Sequence, residues 1–107
     1  MDGVTREFAV MASVLIEEFA PRFGCHVALT GGCLYKQGPR KDVDLVFYKI
    51  RQAEKIDRTG LLQEMVHELG FKIKSTSGWL VKAEFTDVSF DLMFPELPFG
   101  GYESDDE

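Results

Sequence analysis

Two aspartates, Asp42 and Asp44, stand two residues apart in the stretch DVDLVFY, and a third, Asp91, stands between Phe90 and Leu92 in VSFDLMF. Along an extended strand successive side chains point to opposite faces, so Asp42 and Asp44 project together while Val43, Leu45 and Phe47 turn toward a core. Two like charges held side by side repel, and a positive group between them relieves the cost. A hard divalent cation with oxygen ligands, such as Mg²⁺, meets that need. Ahead of the pair, Gly31 and Gly32 follow the short apolar run from Val27 to Thr30. Neither glycine has a Cβ, so backbone there can approach a phosphate closely. Together the glycine pair and the carboxylate pair suggest the handling of a nucleoside triphosphate. An EF-hand calcium loop is set aside, because it needs further oxygen ligands at alternate positions and a glycine at its sixth place, and here Leu45 and Phe47 follow.

The order of these residues resembles that of the nucleotidyltransferases related to the palm of DNA polymerase β, their minimal members in particular. The signature of that family is an apolar residue, Gly-Gly or Gly-Ser, a spacer, then an acid, an apolar residue and an acid on one strand, with a third acid on a later strand. Here Leu29, Gly31 and Gly32 are followed by nine residues and then by Asp42, Val43, Asp44 and Leu45. The stretch is also similar to the head of the tRNA-terminal and poly(A)-adding enzymes, without the arginine and aspartate that follow their glycine pair. Cys33 is a departure: many members carry serine here, whose hydroxyl contacts the nucleotide phosphates.

The resemblance runs roughly from Phe8 to Phe94. It implies an α+β, palm-like fold, with a mixed sheet of about four to five strands and helices packed on one face. It makes Asp91 the third acid, on a strand beside the one bearing Asp42 and Asp44, and gives these three carboxylates two Mg²⁺ ions to hold. The phosphates would lie against Gly31, Gly32 and Cys33, with Lys36, Arg40 and Lys41 as further partners. The implied reaction moves a nucleoside monophosphate from a nucleoside triphosphate, ATP foremost, to an acceptor hydroxyl and releases pyrophosphate. Minimal members also act beside a separate helical protein of HEPN type, as antitoxins that mask or nucleotidylate it, so a non-catalytic module that binds a partner protein is the alternative. A sugar-nucleotide transferase holding its metal by D-x-D is a third reading, disfavoured because those enzymes usually need a much longer chain.

Length and composition fit a single domain. The chain has 107 residues, 45% of them hydrophobic, including nine phenylalanines, enough for one core and too few for two. A nucleotidyltransferase-like domain is expected over residues 1–98, followed by an acidic tail over 99–107. The net charge of −6 argues against an extensive nucleic-acid surface, which relies on lysine and arginine neutralising phosphates. Lys36, Arg40 and Lys41 still offer a local basic patch beside the glycine pair. No apolar run is long enough to cross a bilayer, and the start MDGVTREF lacks the basic and apolar regions of a signal peptide, so a cytoplasmic location is expected. Cys25 and Cys33 have no C-x-x-C spacing and no histidine cluster around them, which favours reduced, structural thiols.

Four kinds of element must position the acids. Val4, Phe8, Met11, Ala12, Leu15 and Phe19 recur at threes and fours and predict a helix from Val4 to about Ala20, ended by Pro21 and covering the back of the sheet. Its acids Glu7, Glu17 and Glu18 are expected on a solvated face. Cys25 to Thr30 and Asp42 to Tyr48 predict strands, and Cys33 to Gln37 one or two helical turns before Gly38-Pro39. A second helix from near Thr59 carries Leu61, Leu62, Met65, Val66 and Leu69 and is capped at Gly70. His67 on this helix is expected at the surface, and His26 as a structural residue. The last third predicts strands at Phe71–Ile73, Leu80–Phe85 and Val88–Phe94, with turns at Ser75–Gly78 and Thr86-Asp87. Trp79 and Tyr35 are candidate stacking partners for a base, Trp79 being also a natural core or rim residue.

Overall fold

Val43, Leu45 and Phe47 are fully buried, and the residues between them are not. That alternation is what a strand with one face on a core requires, and it sets the frame of the whole sheet. The structure, a computed structural model, describes residues 6–30 and 42–96 of the chain. Helix α1 (Arg6–Glu17) leads through a 3₁₀ turn (Ala20–Phe23) into β1 (Cys25–Thr30). Then come β2 (Asp42–Lys49), helix α2 (Arg58–Glu64) continued by a π-helical turn (Met65–Leu69), β3 (Lys72–Ser77), β4 (Leu80–Phe85) and β5 (Val88–Met93). The five strands form one sheet in the order β1-β2-β5-β4-β3. Only β2 and β5 run parallel; the other neighbours are antiparallel. The fold is a mixed five-stranded α+β arrangement, as expected.

One face of the sheet carries Val27 and Leu29, Val43, Leu45 and Phe47, Val81 and Ala83, and Phe90 and Leu92, which pack into a single core with Ala9, Ala12, Ile16 and Phe19 from the first helix and its end, and with Leu61 and Met65 from the second. At its centre Phe90 meets Phe71 and Phe85 edge-on, while Phe47 stacks on Phe94 with ring centroids 4.6 Å apart. Such ring geometries add to the area buried.

Several boundaries differ from the pattern-based expectation. Helix α1 stops at Glu17, before Pro21, and the proline sits at the start of the 3₁₀ turn, where its missing N–H costs nothing. The buried face of α1 is Ala9, Ala12 and Ile16, while Met11 is 42% exposed beside Val10 and Val14. Almost every residue from Phe8 to Ile16 is apolar or small, so periodicity alone marks the face poorly. Ser75 to Ser77 belong to β3 and not to a turn: the strand continues through a bulge between Ile73 and Ser75 and runs four residues past Ile73, and Gly78-Trp79 makes the reversal. Asp57 caps α2, accepting a hydrogen bond from the Gly60 amide at 3.0 Å. Gly70 ends the second helix in the left-handed conformation, as expected, and His67 is exposed.

Glu17 is not simply solvated. Its carboxylate accepts a hydrogen bond from the Val27 amide at 2.9 Å and pairs with His26 Nδ1, tying the end of α1 to the outer edge of the sheet. An edge strand leaves backbone donors unpaired, and Glu17 satisfies one of them. His26, which also lies against Tyr48, is structural as expected.

Cys25 lies wholly inside this core, with Sγ directed at the Ala20 carbonyl. Burial first, and the Glu17 charge second, push its thiol from an ordinary 9.0 up to about 12. The proton is therefore held more tightly in the folded chain than in the unfolded one. That contribution to stability is complete below pH 9.0 and is lost as pH climbs from there to about 12. With Cys33 replaced by serine, the remaining thiol should resist a thiol reagent in the native protein at pH 8 and react at once in urea. Between pH 9 and 11 the urea midpoint should fall more steeply than in a Cys25→Ala companion; equal slopes would contradict this placement.

Candidate functional site

The second face of the sheet carries the acids. Because Val43 and Leu45 point into the core, Asp42 and Asp44 point away from it, and the same alternation in β5 sends Asp91 to that side between buried Phe90 and Leu92. The parallel pairing of β2 with β5 then sets Asp44 directly beside Asp91, with Asp42 beside Ser89. Neighbouring strands lie about 4.8 Å apart, so Asp44 and Asp91 are immediate cross-strand neighbours. Thr30, the last residue of β1, pairs with Asp44 on the other side. In β4, Lys82 pairs with Asp91. The result is one row across four strands: Thr30, Asp44, Asp91, Lys82.

None of these four is fully buried. The Lys82 ammonium donates to Asp91 Oδ1 at 3.0 Å. That hydrogen bond, then the charge of Asp91, and more weakly the charges of Asp42 and Asp44, hold the Lys82 pKa above its ordinary value. All three carboxylates therefore act on one cation. Like charges directly opposite each other destabilise a sheet, and Lys82 offsets that repulsion at the Asp91 end of the row.

The three aspartates supply the donor set a hard divalent cation takes, carboxylate oxygens presented from two neighbouring strands. In chemical type they suit such an ion. As the side chains lie, with Asp91 engaged by Lys82, no three His, Cys, Asp or Glu side chains among the described residues stand close enough to hold one. Gly31, Gly32, Cys33, Lys36, Arg40 and Lys41, expected at the nucleotide phosphates, lie outside the described residues, as do Tyr35 and the acidic end over 99–107. Trp79 is described. It sits in the β3–β4 turn, where its carbonyl accepts from the Phe94 amide, three residues along β4 from Lys82 and toward the opposite end of the sheet from Asp42. It is a rim residue and not a neighbour of the acids.

Lys82 had not been singled out in the sequence, although a signal for it exists. A two-residue turn at Thr86-Asp87 sets Phe85 opposite Val88, and counting three residues back along each strand from there puts Lys82 opposite Asp91. Both turn residues do adopt positive φ, 50° and 66°, as a tight hairpin turn of the mirror-image kind demands.

No protein-family model matches the chain, and no curated protein matches it in sequence. Solved structures do match in shape. A cytoplasmic RNA terminal U-transferase superposes with a TM-score of 0.68 over 88% of this chain, at 14% sequence identity. The chain is similar in fold to this transferase. Cid1, an RNA terminal uridylyl transferase, is similar over 85% of the chain with a TM-score of 0.59 and 12% identity. In each case the chain spans 30% of the neighbour's length. At these identities the likeness speaks for the fold. None of the described helices is long and apolar enough to cross a membrane.

Proposed function

We propose that the carboxylate row is the catalytic centre of a nucleotidyltransferase, which moves a nucleoside monophosphate from a nucleoside triphosphate to an acceptor hydroxyl. The observation that carries this is the pairing of Asp44 with Asp91 on the face opposite the helices, with Asp42 two residues along, in a fold shared with terminal uridylyl transferases. Two carboxylates directly opposite each other cost a sheet stability, and a cation shared between them would offset that cost.

Asp42, Asp44 and Asp91 would hold Mg²⁺. When bound, such ions stabilise the charge that develops on the attacking and leaving oxygens of an in-line displacement at phosphorus. The chain's own part is positional. β2 and β5 fix the carboxylates from beneath through Val43, Leu45, Phe90 and Leu92, all fully buried, so the row cannot shift without disturbing the core. Asp91, the acid nearest Lys82, would serve the acceptor side, where its carboxylate can take the hydroxyl proton. Thr30 delivers the chain from the row to Gly31 and Gly32, the expected phosphate contact. Since the similar structures act on RNA termini, an RNA 3′ hydroxyl is the first acceptor to test.

The test is an assay with each of the four labelled ribonucleoside triphosphates and Mg²⁺, offering an RNA oligonucleotide and, separately, a protein of HEPN type. Metal-dependent labelling of either acceptor is the expected result. Absence of labelling, together with tight association of the unlabelled protein acceptor, would replace the enzyme by the partner-binding module.

A further inference from the structure

We propose that Lys82 is the resident counter-ion of the carboxylate row, which holds Asp91 while no divalent cation is bound and competes with that cation for it. The competition rests on the function proposed above; the counter-ion role does not. Three observations carry it. Lys82 and Asp91 are register partners on adjacent antiparallel strands, so the backbone brings them together whatever the rest of the row does. The ammonium lies 3.0 Å from Asp91 Oδ1, and the strand that carries it flanks β5 on the side away from β2. The third is that β4 places Lys82 at the end of the row that runs Thr30, Asp44, Asp91 across the neighbouring strands.

An ammonium is a compact point charge on a flexible stem, and the Lys82 side chain is 56% exposed. It can therefore leave Asp91 for solvent, or for a phosphate arriving on this face, without disturbing the core. Residues expected at the nucleotide precede Asp42 in the chain, whereas Lys82 joins the row from β4. Lys82 is thus a positioning residue: it orients Asp91 and sets the concentration of cation at which the row rearranges.

The experiment uses the full chain with Lys82→Met, Lys82→Arg, Asp91→Asn and the Lys82→Met/Asp91→Asn double variant. Thermal unfolding is followed in a chelator, and Mn²⁺ alone, without nucleotide, is titrated by calorimetry. In the chelator Lys82→Met should melt roughly 2–6 °C below the parent, the size of an exposed ion pair in a small domain. The double variant should recover most of that loss, since the uncompensated carboxylate is gone. Lys82→Met should bind Mn²⁺ about tenfold more tightly than the parent, the effect of removing one positive charge from the neighbourhood of a divalent ion. Lys82→Arg should match the parent in both measurements. An unchanged melt for Lys82→Met, or a loss that the double variant does not recover, overturns the counter-ion role. Equal or weaker Mn²⁺ binding by Lys82→Met overturns the competition alone, while no Mn²⁺ uptake by any variant overturns the competition together with the proposed function.

Discussion

Exchange of Asp44 for asparagine is expected to lower nucleotidyl transfer by at least about a thousandfold, the scale on which a fixed charge-stabilising group counts in catalysis. Asp44 stands between the other two acids, beside Asp91 on the neighbouring strand and two residues from Asp42 on its own. Asparagine keeps the shape and one carbonyl oxygen but removes the negative charge that a divalent cation requires. The fold should not suffer. Asp44 lies on the face away from the core, and its exchange relieves the repulsion with Asp91. Stability in urea should stay within about 0.5 kcal/mol of the parent, as for most substitutions outside the core. Transfer that survives within a few-fold would remove Asp44 from the chemistry, and a large loss of stability would show that its role is structural.

The largest effect on folding is expected at Phe90. This side chain is fully buried, meets Phe71 and Phe85 edge-on and lies against Phe8, so it joins β5 to the first helix and to the β3–β4 end of the sheet at once. Truncation to alanine removes the ring and leaves a cavity that its packed neighbours close only in part, at a cost of about 3–5 kcal/mol. A domain of this size has only about 5–15 kcal/mol of stability in all. Phe90→Ala should therefore lower the urea midpoint sharply with an unchanged slope, or leave the chain partly unfolded at room temperature. Because Phe90 pairs with Val43 across the parallel strands, any activity left in the folded fraction should fall as well, since both residues support the acids beside them. A cost below about 1 kcal/mol would mean that the core repacks around the gap and that Phe90 is not its centre.

The strands that bear the acids were legible because their chemistry forces alternation. In β2 and β5 every second residue is large and apolar; Asp44 and Asp91 each fall between two of them and Asp42 directly precedes Val43, so the face of each could be assigned without knowing the partner strand. The hairpin of β4 and β5 was equally open, yet its consequence for Lys82 depends on the register that the Thr86-Asp87 turn imposes. What could not be read was the order of the strands. Nothing in β2 says that β5, more than forty residues later, lies beside it in parallel, and that pairing is what unites Asp44 with Asp91. The resemblance in Asp42, Asp44 and Asp91 supplied that expectation; periodicity did not. Helix α1 shows the converse case. With apolar residues on nearly all sides, its pattern misplaced Met11 inside and left Ala9 and Ile16 unremarked, because close packing favoured the small alanines over the bulkier neighbours. Glu17 was assigned to solvent for a similar reason, since an edge amide that needs an acceptor is visible only once β1 is known to be an edge.

On the proposed function, carboxylates from β2 and β5 bind one cation jointly. Crystals grown with Mn²⁺ and a non-hydrolysable nucleoside triphosphate, measured at the manganese absorption edge, test it directly. The predicted result is an anomalous peak coordinated by oxygens of both Asp44 and Asp91, with Lys82 withdrawn from Asp91. Manganese bound elsewhere on the nucleotide, with Asp91 still paired to Lys82 and neither carboxylate coordinated, would contradict it.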